Sequence, residues 1–179
     1  MSVLAGPFVI AGALIALGGA FKAIDPADTA YALRALGLPH AALLVRTGGV
    51  AELVIGVGAL VVGGPVFAAL VALSYLAFAG FVVLALRSGS PISSCGCFGK
   101  VDTPPSPVHL VIDLLAAGIA TTVALAGDVV ALPDVLADQP MLGVPFVILA
   151  VTGVYVVFLS FTALPKTLAA ARVVREARG

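Results

Sequence analysis

Residues 65–86 read PVFAALVALSYLAFAGFVVLAL, a stretch of 22 residues without a charged side chain. About 20 apolar residues are enough to cross the roughly 30 Å hydrocarbon core of a bilayer as an α-helix. The apolar residues do not alternate with polar ones, as they would in the strands of a membrane barrel. This segment therefore predicts a transmembrane helix, and it indicates the class of the whole chain.

Further runs of the same kind occupy residues 3–24, 41–62, 108–126 and 142–164. The chain is 61% hydrophobic and 10% charged, with a mean hydropathy of +1.22, whereas about a quarter of the residues of a water-soluble domain are charged. We predict an all-α integral membrane protein, a single transmembrane domain over residues 1–179 whose main partner is the lipid bilayer. The net charge of zero argues against a general attraction to nucleic acid.

The connecting segments predict surface structure. Residues 25–39 combine apolar and charged positions and predict a short amphipathic helix on the bilayer surface, with Asp28 or Thr29 as its N-cap. Residues 127–140 are acidic and predict a second loop. Residues 165–179 form a basic tail, which we expect to be a helix lying along the membrane surface.

Charge predicts the orientation. All nine basic residues fall on the same side of the membrane when the chain crosses it five times. They are Lys22, Arg34, Arg46, Arg87, Lys100, Lys166, Arg172, Arg175 and Arg178. Basic residues in short loops favour the cytoplasm. We therefore expect a multi-pass plasma-membrane protein with its C-terminus in the cytoplasm and its polar loop, residues 87–107, on the same face.

This polar loop contains the only cysteines of the chain, Cys95 and Cys97, separated by Gly96. Two cysteines so close can close a small, strained disulfide ring, and strained, exposed disulfides are the more oxidising ones. Gly96 can adopt the unusual backbone angles that such a ring requires. The pair therefore predicts thiol–disulfide chemistry at the membrane surface.

The two residues that follow support this interpretation. Phe98 is expected to anchor the loop at the bilayer interface or between helices, and Gly99 to allow a sharp turn. Two alternatives remain open. In the first, the thiols are inert packing residues. In the second, they bind a soft metal such as Cu(I) or Hg(II), although two sulfurs do not complete a tetrahedral zinc site.

Ionisable residues within the predicted spans are candidate functional residues, because charge in a bilayer is costly. His109 and Asp113 are four residues apart and share one helix face. One interpretation makes them a proton relay for the thiols, with Glu52 as a deeper acceptor. The other interpretation pairs Arg46 with Asp113 or Glu52 to hold helices together.

The run Cys95-Gly96-Cys97-Phe98-Gly99, between the third and fourth spans, resembles the signature of the methylamine utilisation protein MauE family, which is similar to the wider DoxX-like membrane proteins. The resemblance covers roughly residues 3–126. It implies a four-helix transmembrane core, with Cys95 and Cys97 as a redox pair. It also implies a role beside a thioredoxin-like partner in maturing a disulfide-rich extracytoplasmic dehydrogenase. The fifth span and the basic tail depart from the family pattern.

The resemblance and the charge pattern place the cysteine loop on opposite sides of the membrane. Both can hold if electrons cross the bilayer, but one cysteine pair then needs a second carrier, such as a membrane quinone or a partner protein. Our prediction is a membrane thiol–disulfide oxidoreductase or redox-maturation factor that exchanges electrons with a thioredoxin-like protein. The alternatives are a non-catalytic membrane assembly factor and a soft-metal binding membrane protein.

Overall fold

The computed structural model describes residues 3–35, 37, 40–88, 105–127, 131–138 and 140–176. These residues form eight α-helices and no strand. In chain order they are α1 (Ala5–Ile24), α2 (Ala27–Ala35), α3 (Ala41–Val61), α4 (Gly64–Ser88), α5 (Pro107–Ala126), α6 (Leu132–Asp138), α7 (Pro140–Thr162) and α8 (Leu164–Glu176). The prediction of an all-α protein is confirmed.

Five of these helices, α1, α3, α4, α5 and α7, are long and apolar enough to cross a membrane. Each coincides with a predicted span and differs from it by a few residues at the ends. Between α3 and α4 the backbone turns at Gly63 and Gly64, whose φ angles are +66° and +84°. Glycine adopts this left-handed conformation without the steric cost that a side chain would add. The chain is a multi-pass membrane protein.

Helices α1 and α3 pack along their length at very short range. A Cβ atom added at Gly19 would lie 2.5 Å from the carbonyl oxygen of Gly49, and one added at Gly56 would lie 2.5 Å from the backbone nitrogen of Ala16. Small residues permit such close approach of transmembrane helices. Glycines at these positions therefore let the two backbones touch.

The remaining spans complete the bundle around this pair. Helix α5 packs against α4, and α7 packs mainly against α1. Apolar side chains such as Phe8, Val71 and Ala120 fill the interior. Only 6% of the α7 span is buried, against 50% for α1, so α1 is the central helix and most of α7 is exposed to lipid.

The surface segments differ in part from the predictions. The predicted amphipathic helix is α2, but it begins at Ala27 and not after Asp28 or Thr29. The Ala27 amide donates a hydrogen bond to Asp25 Oδ1 at 3.3 Å, so an earlier carboxylate satisfies the first exposed backbone group. The loop predicted over residues 127–140 contains α6, which packs against α7. The helix predicted for the basic tail is confirmed as α8.

Candidate functional site

The five residues of the cysteine motif, Cys95, Gly96, Cys97, Phe98 and Gly99, lie outside the residues that the structure describes. Their roles therefore remain predictions. The helices on either side of the loop are described: α4 ends at residue 88 and α5 begins at residue 107. The loop is therefore anchored at the end of the bundle where α4 finishes and α5 starts.

A buried histidine stands at this end of α5. His109 and Asp113 are both 0% exposed, which confirms that they share a face of one helix. The Oγ atom of Ser106 lies 2.8 Å from His109 Nδ1, within hydrogen-bond distance. The Ser106 hydroxyl thus contacts the imidazole and does not cap the backbone of α5. Ser106, the residue before α5, therefore contacts the buried imidazole directly.

The imidazole of His109 is covered by the fifth span. Its ring centroid lies 5.4 Å from that of Phe161, a residue of α7 that is itself 2% exposed. Phe161 packs with Leu14 and with residues of α1 and α5. The end of α7 therefore closes the site on the side that would otherwise face lipid.

A second polar contact joins α1 and α3. The ammonium of Lys22 forms an ion pair with Glu52, and Lys22 is 3% exposed. Its Nζ atom also lies 4.5 Å from the centroid of the Phe78 ring, a cation–π contact.

The predicted pairing of Arg46 with Glu52 is wrong, because Glu52 pairs with Lys22 and Arg46 is exposed. Removing either Lys22 or Glu52 alone would leave a buried charge, which is strongly destabilising.

A small cavity lies between the two polar groups. Glu52 and Asp113 both line it, together with Tyr75, Phe78 and Phe161, and its volume is about 10 Å³. This is room for about one water molecule. We call it the one-water cavity. A water there would lie between two carboxyl groups that are carried by different helices, α3 and α5.

On the other side of Glu52 lies a larger space of about 190 Å³, between α1, α2, α3 and α4. We call it the Lys22 cavity. Its lining includes Lys22, Thr29, Glu52, Leu44, Phe78 and Phe81. It is located where α1 ends, α3 begins and α4 approaches its end, so it occupies the same end of the bundle as the cysteine loop.

The sequence was compared with models of known protein families. The model for Methylamine utilisation protein MauE matches residues 1–126. The chain belongs to the MauE family. A search of curated proteins found no match to this chain, and neither did a search of solved structures. The match ends with α5, so the four spans α1, α3, α4 and α5 of this MauE-family protein carry the family pattern. Helices α6 to α8 lie beyond it.

In this MauE-family protein, sequence reasoning placed Lys22 on the same side of the membrane as the candidate residues but missed its pairing with Glu52. It also missed Ser106 and Phe161. Lys22 stands at the polar end of its span, where lysines usually extend to water, and no periodicity distinguishes it from a surface lysine. The contact of Ser106 with His109 is signalled only by a serine three residues before a histidine. Phe161 resembles the other apolar residues of α7, and its position depends on how α7 packs.

The described residues contain no cluster of three or more histidine, aspartate, glutamate or cysteine side chains that could hold a metal ion. His40, at the start of α3, is exposed, whereas His109 is fully buried. The described part of the site contains the ionisable side chains of Lys22, Glu52, His109 and Asp113 together with apolar residues.

Proposed function

We propose that this MauE-family protein is a membrane thiol–disulfide oxidoreductase, or redox-maturation factor, that exchanges electrons with a thioredoxin-like partner through Cys95 and Cys97. The observation that carries the proposal is the buried His109–Asp113 pair at the start of α5, immediately after the cysteine loop. A buried ionisable pair within a span is costly. Its position in the first turns of the helix that follows the cysteine loop in the chain supports a role in thiol chemistry.

The exchange proceeds through thiolate attack. A thiolate of the partner attacks the disulfide between Cys95 and Cys97 and forms a mixed disulfide with one of them, and a second partner thiol then displaces that cysteine. The partner leaves with its own disulfide, and Cys95 and Cys97 are left as thiols. Each step needs a thiol to lose a proton and a leaving sulfur to gain one. Imidazole exchanges protons readily near neutral pH, so His109, supported by Asp113, takes and returns these protons.

The membrane geometry follows from the charges. The basic residues near the span ends support an orientation with the cysteine loop and the C-terminus in the cytoplasm, and we propose the plasma membrane as the location. Electrons that enter the single cysteine pair must leave it again for the protein to turn over. A second carrier, either a lipid-soluble molecule or another protein, therefore completes the cycle.

The reduction potential of the cysteine pair tests this proposal. Membranes equilibrated in graded redox buffers are treated with permeant or impermeant alkylating reagents. We expect a reversible two-electron transition between about −120 and −270 mV, the range of known oxidoreductases, and labelling by impermeant reagents only in inside-out vesicles. A pair that never forms a disulfide would contradict redox catalysis and favour the assembly-factor or Cu(I)/Hg(II) alternative.

A histidine substitution tests the proton-transfer role. In His109→Gln the side chain can still contact Ser106 but no longer exchanges protons, so we expect exchange to slow by about 10²–10⁴-fold. The measurement is the rate of partner oxidation at one fixed pH. The control is His40→Gln, which changes the exposed histidine and should leave the rate unchanged. A normal rate in His109→Gln would argue against the relay.

A further inference from the structure

The Lys22 cavity has a polar end and apolar walls. Its polar end is formed by Lys22, Thr29 and Glu52, and its walls include the aromatic rings of Phe78 and Phe81. A volume of about 190 Å³ is far larger than one water molecule needs. Sites of this construction, mostly apolar with a few placed polar groups, are typical of small-molecule binding.

The polar end has hydrogen-bond donors that the described residues do not saturate. Thr29 is 7% exposed, and its Oγ1 atom has no hydrogen-bond partner among the residues that the structure describes. Buried hydroxyl groups are nearly always hydrogen-bonded in folded proteins. The ammonium of Lys22 has three N–H donors, and its ion pair with Glu52 leaves donor capacity free. The Lys22 ammonium can donate to a carbonyl oxygen of a bound molecule, and the Thr29 hydroxyl can do so after its side chain rotates toward the cavity that Thr29 lines.

The cavity is accessible from the lipid side. Leu44, which lines it, is 51% exposed on the surface of the bundle. The surface of a membrane span at this position contacts lipid, so a molecule dissolved in the bilayer can enter beside Leu44. The chemistry of the cavity therefore selects a lipid-soluble molecule with a flat apolar ring and a carbonyl head.

The cavity is also connected to the buried acids of the candidate site. Glu52 and Phe78 line both the Lys22 cavity and the one-water cavity, and Asp113 lines the latter. Glu52 therefore adjoins both a molecule bound in the Lys22 cavity and the cavity that Asp113 lines. This arrangement brings proton-exchanging groups to the same place as the proposed carbonyl head.

We infer that the Lys22 cavity binds a membrane quinone, which is the second carrier that the proposed function requires and on which this inference rests. The overall reaction balances. The Cys95 and Cys97 thiols lose two protons and two electrons as their S–S bond forms. The quinone gains two electrons and two protons, one on each carbonyl oxygen, and leaves as the quinol. The quinone carbonyl oxygen that lies near Thr29 and Lys22 receives its proton from the side of the cavity that Glu52 lines.

Binding is tested with the full chain in lipid nanodiscs, titrated with a benzoquinone that carries a ten-carbon tail. Gly48 lines the cavity, and a Cβ atom added there has no neighbour within 4 Å, so Gly48→Leu fills the cavity without a clash at Cβ. The second variant, Thr29→Val, removes the hydroxyl at nearly constant shape. We expect calorimetry to show an affinity loss of at least 10-fold for Gly48→Leu and of about 3- to 10-fold for Thr29→Val, the loss of one hydrogen bond.

The controls separate this inference from the proposed function. In Gly80→Leu the new Cβ also has no neighbour within 4 Å, but Gly80 does not line the cavity, so its affinity should be unchanged. The double variant Cys95→Ser/Cys97→Ser should bind the quinone normally, because binding does not use the thiols. Absence of saturable binding, equal affinity in all variants, or equal displacement by a ten-carbon alcohol without the ring would overturn the inference. Normal quinone binding with no oxidation of the dithiol would refute the quinone as the second carrier, whereas loss of exchange with the partner alone would refute the proposed function and leave the binding site in place.

Discussion

Replacing either cysteine of the motif, in Cys95→Ser or Cys97→Ser, is expected to reduce thiol–disulfide exchange to background. A serine hydroxyl neither ionises near neutral pH nor forms an S–S bond, so the pair loses its only redox reaction. Each single variant should still attack or receive a disulfide with its remaining thiol but cannot resolve the product. It should therefore accumulate a mixed disulfide with the partner, visible as a reducible higher-mass band on a non-reducing gel.

The chain is well suited to this experiment, because it contains only two cysteines and every labelled thiol belongs to the motif. The double variant Cys95→Ser/Cys97→Ser should give neither exchange nor a mixed disulfide. Ser94→Ala, a small change directly beside the motif, is the matched control and should retain full exchange. Full activity in the double variant would refute the redox function, whereas loss of exchange in Ser94→Ala would indicate that the loop conformation had been disturbed.

The second large effect concerns folding, and it distinguishes two adjacent glycines of α3. In Gly49→Ala the new methyl group would lie 2.8 Å from the backbone nitrogen of Ala23 and 2.9 Å from Cβ of Lys22, so α1 and α3 would have to separate. Overpacking of this kind typically costs about 1–3 kcal/mol and occasionally more. We expect a lower melting temperature and a smaller fraction of monodisperse protein in detergent.

Gly48→Ala is the matched control, since a Cβ atom at this position has no neighbour within 4 Å. Alanine is a better helix former than glycine by about 1 kcal/mol, so this variant should melt at the same temperature or slightly higher. Thermal unfolding followed by circular dichroism, with size-exclusion chromatography before heating, measures both variants. Equal melting temperatures for the two variants would show that α1 and α3 do not approach as closely as the structure indicates.

The same two glycines illustrate how far the sequence predicts the fold. Hydropathy and length identify the five spans, because crossing a bilayer imposes a minimum number of apolar residues. The sequence also has Gly18 and Gly19 in α1 and Gly48, Gly49 and Gly56 in α3, and small residues in membrane spans predict close packing between helices. It does not distinguish Gly49, which touches α1, from Gly48, which faces a cavity, since that depends on the rotation of α3 about its axis.

In the candidate site, too, the sequence predicts some contacts and not others. The shared face of His109 and Asp113 follows from their spacing on one helix, and the structure confirms it. The ion pair of Glu52 does not follow from sequence, because its partner lies on another helix, and the nearer basic residue Arg46 was the wrong choice. Contacts within a helix can be read from spacing, whereas contacts between helices require the packing of the bundle.

The packing of Phe161 on His109 has a consequence for how this architecture is divided into parts. The family pattern ends with α5, yet the ring that shields the imidazole comes from α7, a segment beyond that pattern. A chain shortened after α5 would keep every family segment and still open His109 to hydrocarbon. The segment that matches the family and the segment that builds the candidate site therefore end at different points of the chain. The fifth span is a component of the candidate site as well as a membrane anchor.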